Sequence, residues 1–550
     1  MATPRDPETS GVSRHSTYAS PVVSVDSASA AARSAQPGDL IESRNPRDGS
    51  LLGTVPVDGA AETNLAVQRA HRASAFWANQ SLSMRREYLL SLRDAVCDLQ
   101  EEIVLAITSE TGKVRAEAIS GEIMVTADLI GFYARNLQRV LGDKPASSGL
   151  LQHKRSYTVH EPYGVVAVIS PWNFPFYLLV APVAAAVAAG NAVVMKASEL
   201  TPLVGQKTLE VFQEAERRVF SSGNAHASSD LPQPLDLVGV VNGGPQTGEA
   251  LVDSDVDAIA FTGSVTTGTK VASKASQSLK PMLLELGGKD PMIVCSDADV
   301  GRASSAVVWG AFCNTGQACI SIERVYVHSS IYERFLSEVI AKTNALRLDR
   351  DVGPMTDPRQ LELVRQHLDD AIANGATVRT GGSGPEDHET YYLSPTVLTG
   401  VSHTMRIMKE ETFGPVLPLM TFDHDDEAVE LANDTIYGLS SSIFSSSRVR
   451  ARAIGRRLRA GAVNVNDCLV TSATAGLPYG GHGSSGLGYT HGDEGLLSFS
   501  RLKAFSEPRV NIPREPQWYA TRGPAPEILS RLSKSVFRRG FSAKLKNFFD

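Results

Sequence analysis

Residues 164–196 read GVVAVISPWNFPFYLLVAPVAAAVAAGNAVVMK. The opening GVVAVIS is an unbroken apolar run of strand length, rich in β-branched residues and closed by Pro171. From Phe176 to Met195 no residue is charged, a stretch long enough to cross a bilayer if it were one helix. Pro182 and the Gly190-Asn191 break argue against that and divide it into a buried helix and a buried strand, AVVMK. Strand, helix and strand in this order, neither strand alternating, predict parallel strands covered on both faces.

The rhythm continues outward. LVGVVNG, AIAFTG and PMIVC follow as further short apolar runs, then RVYVH, a helix from Ile331 into Leu346, another around Pro358 to Ala373, and strands near LSPTVL and VLPLMTF. Upstream, a turn at Asn45-Pro46-Arg47-Asp48-Gly49 leads into LLGTVPV, and Leu89, Leu92, Val96, Leu99 and Ile103 recur at helical spacing. The fold class expected is therefore α/β. Residues 1–38, rich in Ser and Ala, read as a disordered tail without the apolar core of a secretory signal. Phe220–Pro234 reads as a surface loop, and the chain from Pro508 onward as a Pro-rich, then basic, appendage.

The 550 residues carry 53 Lys+Arg against 60 Asp+Glu, a net charge of −7, and 42% are hydrophobic. Such a chain is neither disordered throughout nor collagen-like, and its charge gives no reason to expect nucleic acid as a partner. Cysteines at 97, 295, 313, 319 and 468 are odd in number and form no C-x-x-C pair, which speaks for a cytoplasmic protein rather than a secreted disulfide framework.

Three residues stand where carbonyl chemistry could be done. Cys319 lies in a polar, Gly-containing bend between the apolar helix AVVWGAF and the strand RVYVH; a lone cysteine is more often inert, but a thiol on such a bend can be offered to a cleft as a nucleophile. Glu285 ends the strand-like LLEL before two glycines, as a solvated glutamate or, if buried, as a general base toward water. Asn173, set between two prolines and two aromatics after GVVAVIS, is a turn residue or an amide donor to an oxyanion. Gly-rich turns at Gly243–Gly248 and Gly263–Gly268 open helices after strands; neither matches G-x-G-x-x-G, yet a helix N-terminus there suits a pyrophosphate. Lys196 and Glu199 follow a strand where they can reach ribose hydroxyls, or simply start a helix.

Taken together, PWNFP around Asn173, Lys196-Ala-Ser-Glu199, FTGS at 261–264, ELGGK at 285–289, GQAC ending at Cys319 and ETFGPV at 411–416 resemble the aldehyde dehydrogenase superfamily over residues 40 to 507. SETGK at 109–113, ANDTIYGLS at 432–440, GAVNVN at 461–466 and PYGG with SGLG at 478–488 are weaker matches. The resemblance implies a Rossmann-like cofactor domain from residues 39–148 and 164–285, a catalytic domain from 286–498, an oligomerisation arm from 149–163 and 499–508, and an extension at 509–550. It implies NAD as cofactor, with NADP as an alternative, bound by Trp172, Lys196, Glu199, Gly263, Ser264, Glu411 and Phe413, and no metal. Cys319 would form a thiohemiacetal and a thioester, Asn173 and the Cys319 N–H would hold the oxyanion, and Glu285 would activate water. A homodimer or homotetramer acting on a small aldehyde is expected, succinate semialdehyde being one candidate.

Ala197 departs from the family's usual proline and Gly483 from a common lysine, while Cys313 reads as core packing or as a second thiol able to trap Cys319. A thiol hydrolase or acyltransferase without nicotinamide would need a histidine near the cysteine, and residues 310–325 contain none. In the tail from Trp518 to Asp550, seven basic residues interleave with apolar ones, but Pro524, Pro526 and Gly540 interrupt a long amphipathic helix. At most weak, salt-sensitive membrane contact is expected of it.

Overall fold

Five of the apolar runs lie side by side. β1 (Val165–Ile169), β2 (Ala192–Lys196), β3 (Val238–Val240), β4 (Ala258–Thr262) and β5 (Met282–Glu285) form a parallel sheet in the order β5-β4-β1-β2-β3, with Gly486–Leu487 antiparallel on the far side of β5. Every residue of β1 and β2 is buried, which is why neither alternates. Between them runs α1 (Tyr177–Ala189), buried all round except at Leu178. Gly190 ends it at φ +103, where a Cβ would lie 2.5 Å from the Arg85 guanidinium. The chain fills the sheet from β1 toward β3 and then returns to the opposite side of β1 with β4, so strand order reverses between β1 and β4. Ligands of open α/β sheets bind at such a reversal, beyond the strands' carboxyl ends.

In this computed structural model residues 40–221, 235–382, 391–511, 513, 515, 518 and 525–537 are described. A second sheet contains β6 (Asp290–Val294), β7 (Ile322–His328), β8 (Thr377–Thr380), β9 (Thr396–Thr399), β10 (Val416–Phe422), β11 (Ser442–Phe444) and β12 (Asn464–Val465), ordered β8-β9-β10-β7-β6-β11-β12. Only β8 runs antiparallel to its neighbour. Ile293 of β6 packs into one apolar cluster and Met292 and Val294 into another, so this sheet too is covered on both faces. Both sheets belong to a larger unit of residues 40–142 and 160–501. Within it Leu89, Leu92, Val96 and Ile103 are fully buried on the helices Leu82–Asp98 and Gln100–Thr111.

A smaller unit comprises residues 143–159 and the described residues from 502 onward. Its sheet orders Ser500–Pro508, Lys154–Pro162 and Lys144–Ala146, with Tyr157 stacked on Phe505 at 5.0 Å. Lys144–Ala146 falls in the segment assigned from sequence to the cofactor domain; three exposed residues including a proline leave no alternation to read. Two local expectations change. The helix Pro202–Ser221 takes in Phe220 and Ser221, so the expected loop starts later, and 222–234 lie outside the described residues, as do 1–38. In the tail, Pro526 does not interrupt the helix Ala525–Phe537 but occupies its first turn, where a missing N–H costs nothing. Ile528, Leu529, Leu532, Val536 and Phe537 are all exposed on that helix. Among the described residues no helix is long and apolar enough to cross a membrane.

Candidate active site

The bend that carries Cys319 is built from left-handed backbone. Beyond the helix Val300–Phe312, Asn314, Thr315 and Gly316 take φ of 49°, 59° and 71° in succession. Gly316 is forced, because a Cβ there would lie 2.3 Å from the Gly414 carbonyl oxygen. The two non-glycine residues are held there by hydrogen bonds: Asn314 N–H donates to Glu117 Oε1 at 3.0 Å, and Thr315 Oγ1 to the Gly353 carbonyl at 3.0 Å. The Gln317 side chain braces the next step by accepting from Thr356 N–H at 2.9 Å.

The bend delivers Cys319 to a cavity of about 290 Å³ that Glu285 also lines. Both Glu285 carboxylate oxygens are buried without a partner, and burial raises its pKa well above the ordinary carboxylate range. The Cys319 thiol is pushed up to about 12, first by burial and then by Glu411, Asp290 and Glu285. Its sulfur lies 3.3 Å from the Tyr479 hydroxyl. Phe174, Tyr177, Leu178, Trp309, Ile320 and Leu469 give the wall its apolar character, and neither Lys nor Arg is among the described residues lining it.

Asn173 does not line this cavity but is joined to the bend that carries Cys319, its Nδ2 donating to the Gln317 carbonyl at 3.0 Å. One amide hydrogen is thereby used and the other remains. Its turn is clamped by a fully buried ion pair, Lys113 with Glu122 at 2.5 Å. Lys113 Nζ also donates to the Asn173 carbonyl at 2.9 Å and lies 3.8 Å from the Phe174 ring centroid, while Glu122 accepts from the N–H groups of Phe176 and Tyr177.

The two glycines of ELGGK mark close approaches. A Cβ on Gly287 would lie 2.2 Å from Glu411 Oε2, and one on Gly288 would lie 2.2 Å from the Cys319 carbonyl oxygen. Gly288 N–H donates to Glu411 Oε1 at 3.0 Å, and burial raises that carboxyl to about 8. Lys289 pairs with Glu323 at 2.6 Å, and Glu323 accepts from the Thr412 and Phe413 N–H groups at 2.8 Å each. ELGGK, ETFGPV and the cysteine bend are thus one packed unit.

The remaining cofactor candidates sit past the strand ends, beside the reversal in strand order. Trp172 follows β1 and meets Phe413 edge-on at 5.7 Å. Lys196 ends β2, buried, with its Nζ on the Ala197 carbonyl at 3.1 Å and 3.9 Å from Glu199 Oε2. Gly263 follows β4, its N–H bonded to the Glu285 carbonyl at 3.0 Å, and Ser264 caps the helix Val265–Gln277. None of them lines the cysteine cavity. The departure at Gly483 has a backbone reason: its φ is +59°, which a lysine would adopt only under strain.

Sequence reasoning missed Tyr177, Tyr479 and His491 as cavity residues. Residues 310–325 contain no histidine, but His491 lines the same cavity from 172 positions downstream of Cys319. Its Nε2 is engaged with the Tyr177 hydroxyl at 2.7 Å rather than with the sulfur, and burial lowers its pKa to about 4, so it is neutral. The signal was the run of glycines and Thr490 around it, which marks tight packing but not its destination.

The sequence profile of the aldehyde dehydrogenase family matches residues 32–505. A Methylomonas protein named 4,4'-diapolycopene aldehyde oxidase is 40% identical over 86% of this chain and 87% of its own length. A Mycolicibacterium smegmatis protein provisionally named succinate-semialdehyde dehydrogenase [NADP(+)] is 35% identical over 84% and 87%. The NAD+ complex of a Bacillus cereus aldehyde dehydrogenase superposes with a TM-score of 0.79 at 30% identity, covering 86% of this chain and 94% of that one. The chain belongs to the aldehyde dehydrogenase family, NAD(P)-dependent oxidoreductases that convert aldehydes to carboxylic acids.

Proposed function

We propose that this enzyme oxidises an uncharged, apolar aldehyde with NAD, through a thioester on Cys319. The observation that carries the substrate class is the cavity wall: aromatic and aliphatic around Cys319, with Glu117 and Glu285 as its acids and no cation among its described residues. A carboxylate-bearing substrate such as succinate semialdehyde needs a cationic partner once desolvated, and this wall offers none among its described residues. Of the two relatives' names, the aldehyde of 4,4'-diapolycopene, which has no ionised group, fits such a wall better.

In this reading the Cys319 sulfur attacks the carbonyl carbon, a C–S bond forms, and the carbonyl π pair moves to oxygen. The free Asn173 amide hydrogen and the Cys319 backbone N–H hold that oxyanion. NAD, when bound, would supply the acceptor for the two electrons and hydrogen removed from carbon. Glu285, ionised, takes a proton from water as the water attacks the thioester, and the acid leaves with Cys319 restored. The residues present fit the cofactor: strand ends at the point where the sheet's order reverses, the capped helix at Ser264 for a pyrophosphate, Lys196 and Glu199 for ribose hydroxyls, and Glu411, Trp172 and Phe413 toward the nicotinamide end.

The exposed strands Lys144–Ala146 and Ser500–Pro508 suit pairing with a second copy in a homodimer or homotetramer. All five cysteines are free thiols, which supports a cytoplasmic setting. The test of function is production of reduced nicotinamide by purified full-length protein with NAD or NADP and aldehydes graded in length and charge. Uncharged long-chain and aromatic aldehydes should exceed succinate semialdehyde in kcat/KM at least about tenfold; equal or reversed values would sink the substrate assignment.

A further inference from the structure

Tyr479 reaches the reacting sulfur from a part of the chain 160 residues away. Its hydroxyl is the one side-chain group among the described residues within hydrogen-bond distance of Cys319 Sγ. The tyrosine is held firmly. Its backbone exchanges two hydrogen bonds with Thr490, each 2.7 Å, and its ring stacks on His491 with centroids 5.4 Å apart. Behind His491 stands Tyr177, whose hydroxyl lies 2.7 Å from His491 Nε2 and 3.1 Å from the Ser472 carbonyl. A carbonyl can only accept, so Tyr177 gives its single proton to Ser472, and His491 Nε2–H donates to the Tyr177 oxygen. Tyr177, His491 and Tyr479 thus form a buried row ending at the sulfur.

We propose that Tyr479 is a catalytic residue, its hydroxyl donating a hydrogen bond to the Cys319 sulfur whenever that sulfur is anionic, with His491 and Tyr177 as the positioning residues that aim it. The proposal rests on Cys319 being the nucleophile. Around the sulfur the ionisable groups are Glu285, Glu411 and Asp290, with Tyr177 and Tyr479 beside it and Glu117, Cys313 and His491 on the cavity wall. Those nearest carboxyls are neutral or negative, never positive, and His491 is neutral, so no cation faces a thiolate among the residues lining the cavity. A neutral donor is the means of stabilisation left. The Tyr479 hydroxyl keeps its proton because burial raises its own pKa well above the usual value.

The proton balance is simple. The thiol loses its proton to water, and the sulfur anion accepts from the Tyr479 O–H, which stays on oxygen. When the C–S bond forms, the sulfur pair goes to carbon and the hydrogen bond weakens. When water displaces the acyl group, the C–S pair returns to sulfur and the same O–H receives it. Tyr479 therefore raises the share of thiolate available for attack and stabilises the sulfur as it leaves the acyl group, without transferring a proton.

The test is site-resolved alkylation. In full-length protein carrying Cys97→Ser, which removes an exposed thiol, iodoacetamide labelling of Cys319 is followed by mass spectrometry from pH 7 to 10, with and without Tyr479→Phe. A hydrogen bond to a charged group predicts labelling about tenfold or more slower in the Phe variant throughout that range, which lies wholly below the thiol's titration. Tyr177→Phe should slow labelling by less. Superimposable profiles for Tyr479→Phe, in a protein whose melting temperature is unchanged, would overturn the proposal. Aldehyde oxidation by the Tyr479-containing protein separates the two claims: labelling that shifts in a protein without dehydrogenase activity retains the hydrogen bond and removes the functional reading, and an active protein with unshifted labelling does the reverse.

Discussion

At the scale of single residues, the site is defined by groups held away from their ordinary ionisation. Glu285 is buried with no partner, an arrangement that keeps it protonated until water or a bound reactant enters, and that suits a base used late in the reaction. Cys319→Ala should abolish aldehyde oxidation while NAD binding, read by fluorescence titration, persists. Glu285→Gln should slow steady-state turnover far more than the first burst of reduced nicotinamide; a burst diminished in proportion would place Glu285 earlier in the reaction. Glu199, partly exposed and 3.9 Å from Lys196, is expected to discriminate against the 2′-phosphate of NADP by charge. Glu199→Ser should therefore raise kcat/KM for NADP relative to NAD severalfold, and an unchanged ratio counts against that role. Cys319, Glu285 and Asn173 could be singled out from sequence because each sits at the end of a recognisable element. Tyr479 and His491 could not, because what makes them part of the cavity is contact with residues about 160 to 310 positions away.

At the scale of elements, the motifs turn out to be parts that hold one another. SETGK supplies Lys113, whose buried pair with Glu122 fixes the turn carrying Asn173. Lys113→Met would leave Glu122 charged and unpaired in the interior, a loss of about 3–5 kcal/mol. Chemical denaturation should show it as a lower midpoint at unchanged slope, and loss below about 1 kcal/mol would mean that the pair does not hold the turn. The strands were legible because buried parallel strands are continuous apolar runs, as β1 and β2 show. What could not be read was backbone made only by distant contacts. Asn314 and Thr315 adopt left-handed φ because Glu117 and Gly353 receive their donors, and Gly486–Leu487 becomes a strand only because β5 offers it an edge. Nothing in the local composition of these segments announces either outcome.

At the scale of the whole molecule, the site's chemistry and the fold's stability respond to pH in opposite directions. Burial raises Glu110 to about 7 and Glu411 to about 8, and raises Glu285 and Asp290 well above their ordinary values. A carboxyl whose folded pKa exceeds its unfolded one binds more protons when folded, so its stabilising contribution is complete below about pH 4.5 and is lost as pH rises through the folded value. His367, His403 and His491 are shifted down and act in the other sense, but that change is finished once pH exceeds their ordinary 6.5. Asp297, lowered to about 2, changes only in acid. Between about pH 6.5 and 8 the raised carboxyls therefore dominate, and the protein without cofactor should melt at progressively lower temperature across that window. Turnover should climb over the same interval, since both the Cys319 thiolate and the Glu285 carboxylate become more populated as protons leave. Calorimetry and initial rates in buffers of constant ionic strength would show the two curves crossing. A Glu110→Gln, Glu411→Gln protein should lose much of the decline in melting temperature, because the groups that release protons on unfolding are gone; a decline of undiminished slope would assign it to groups other than these two buried carboxyls.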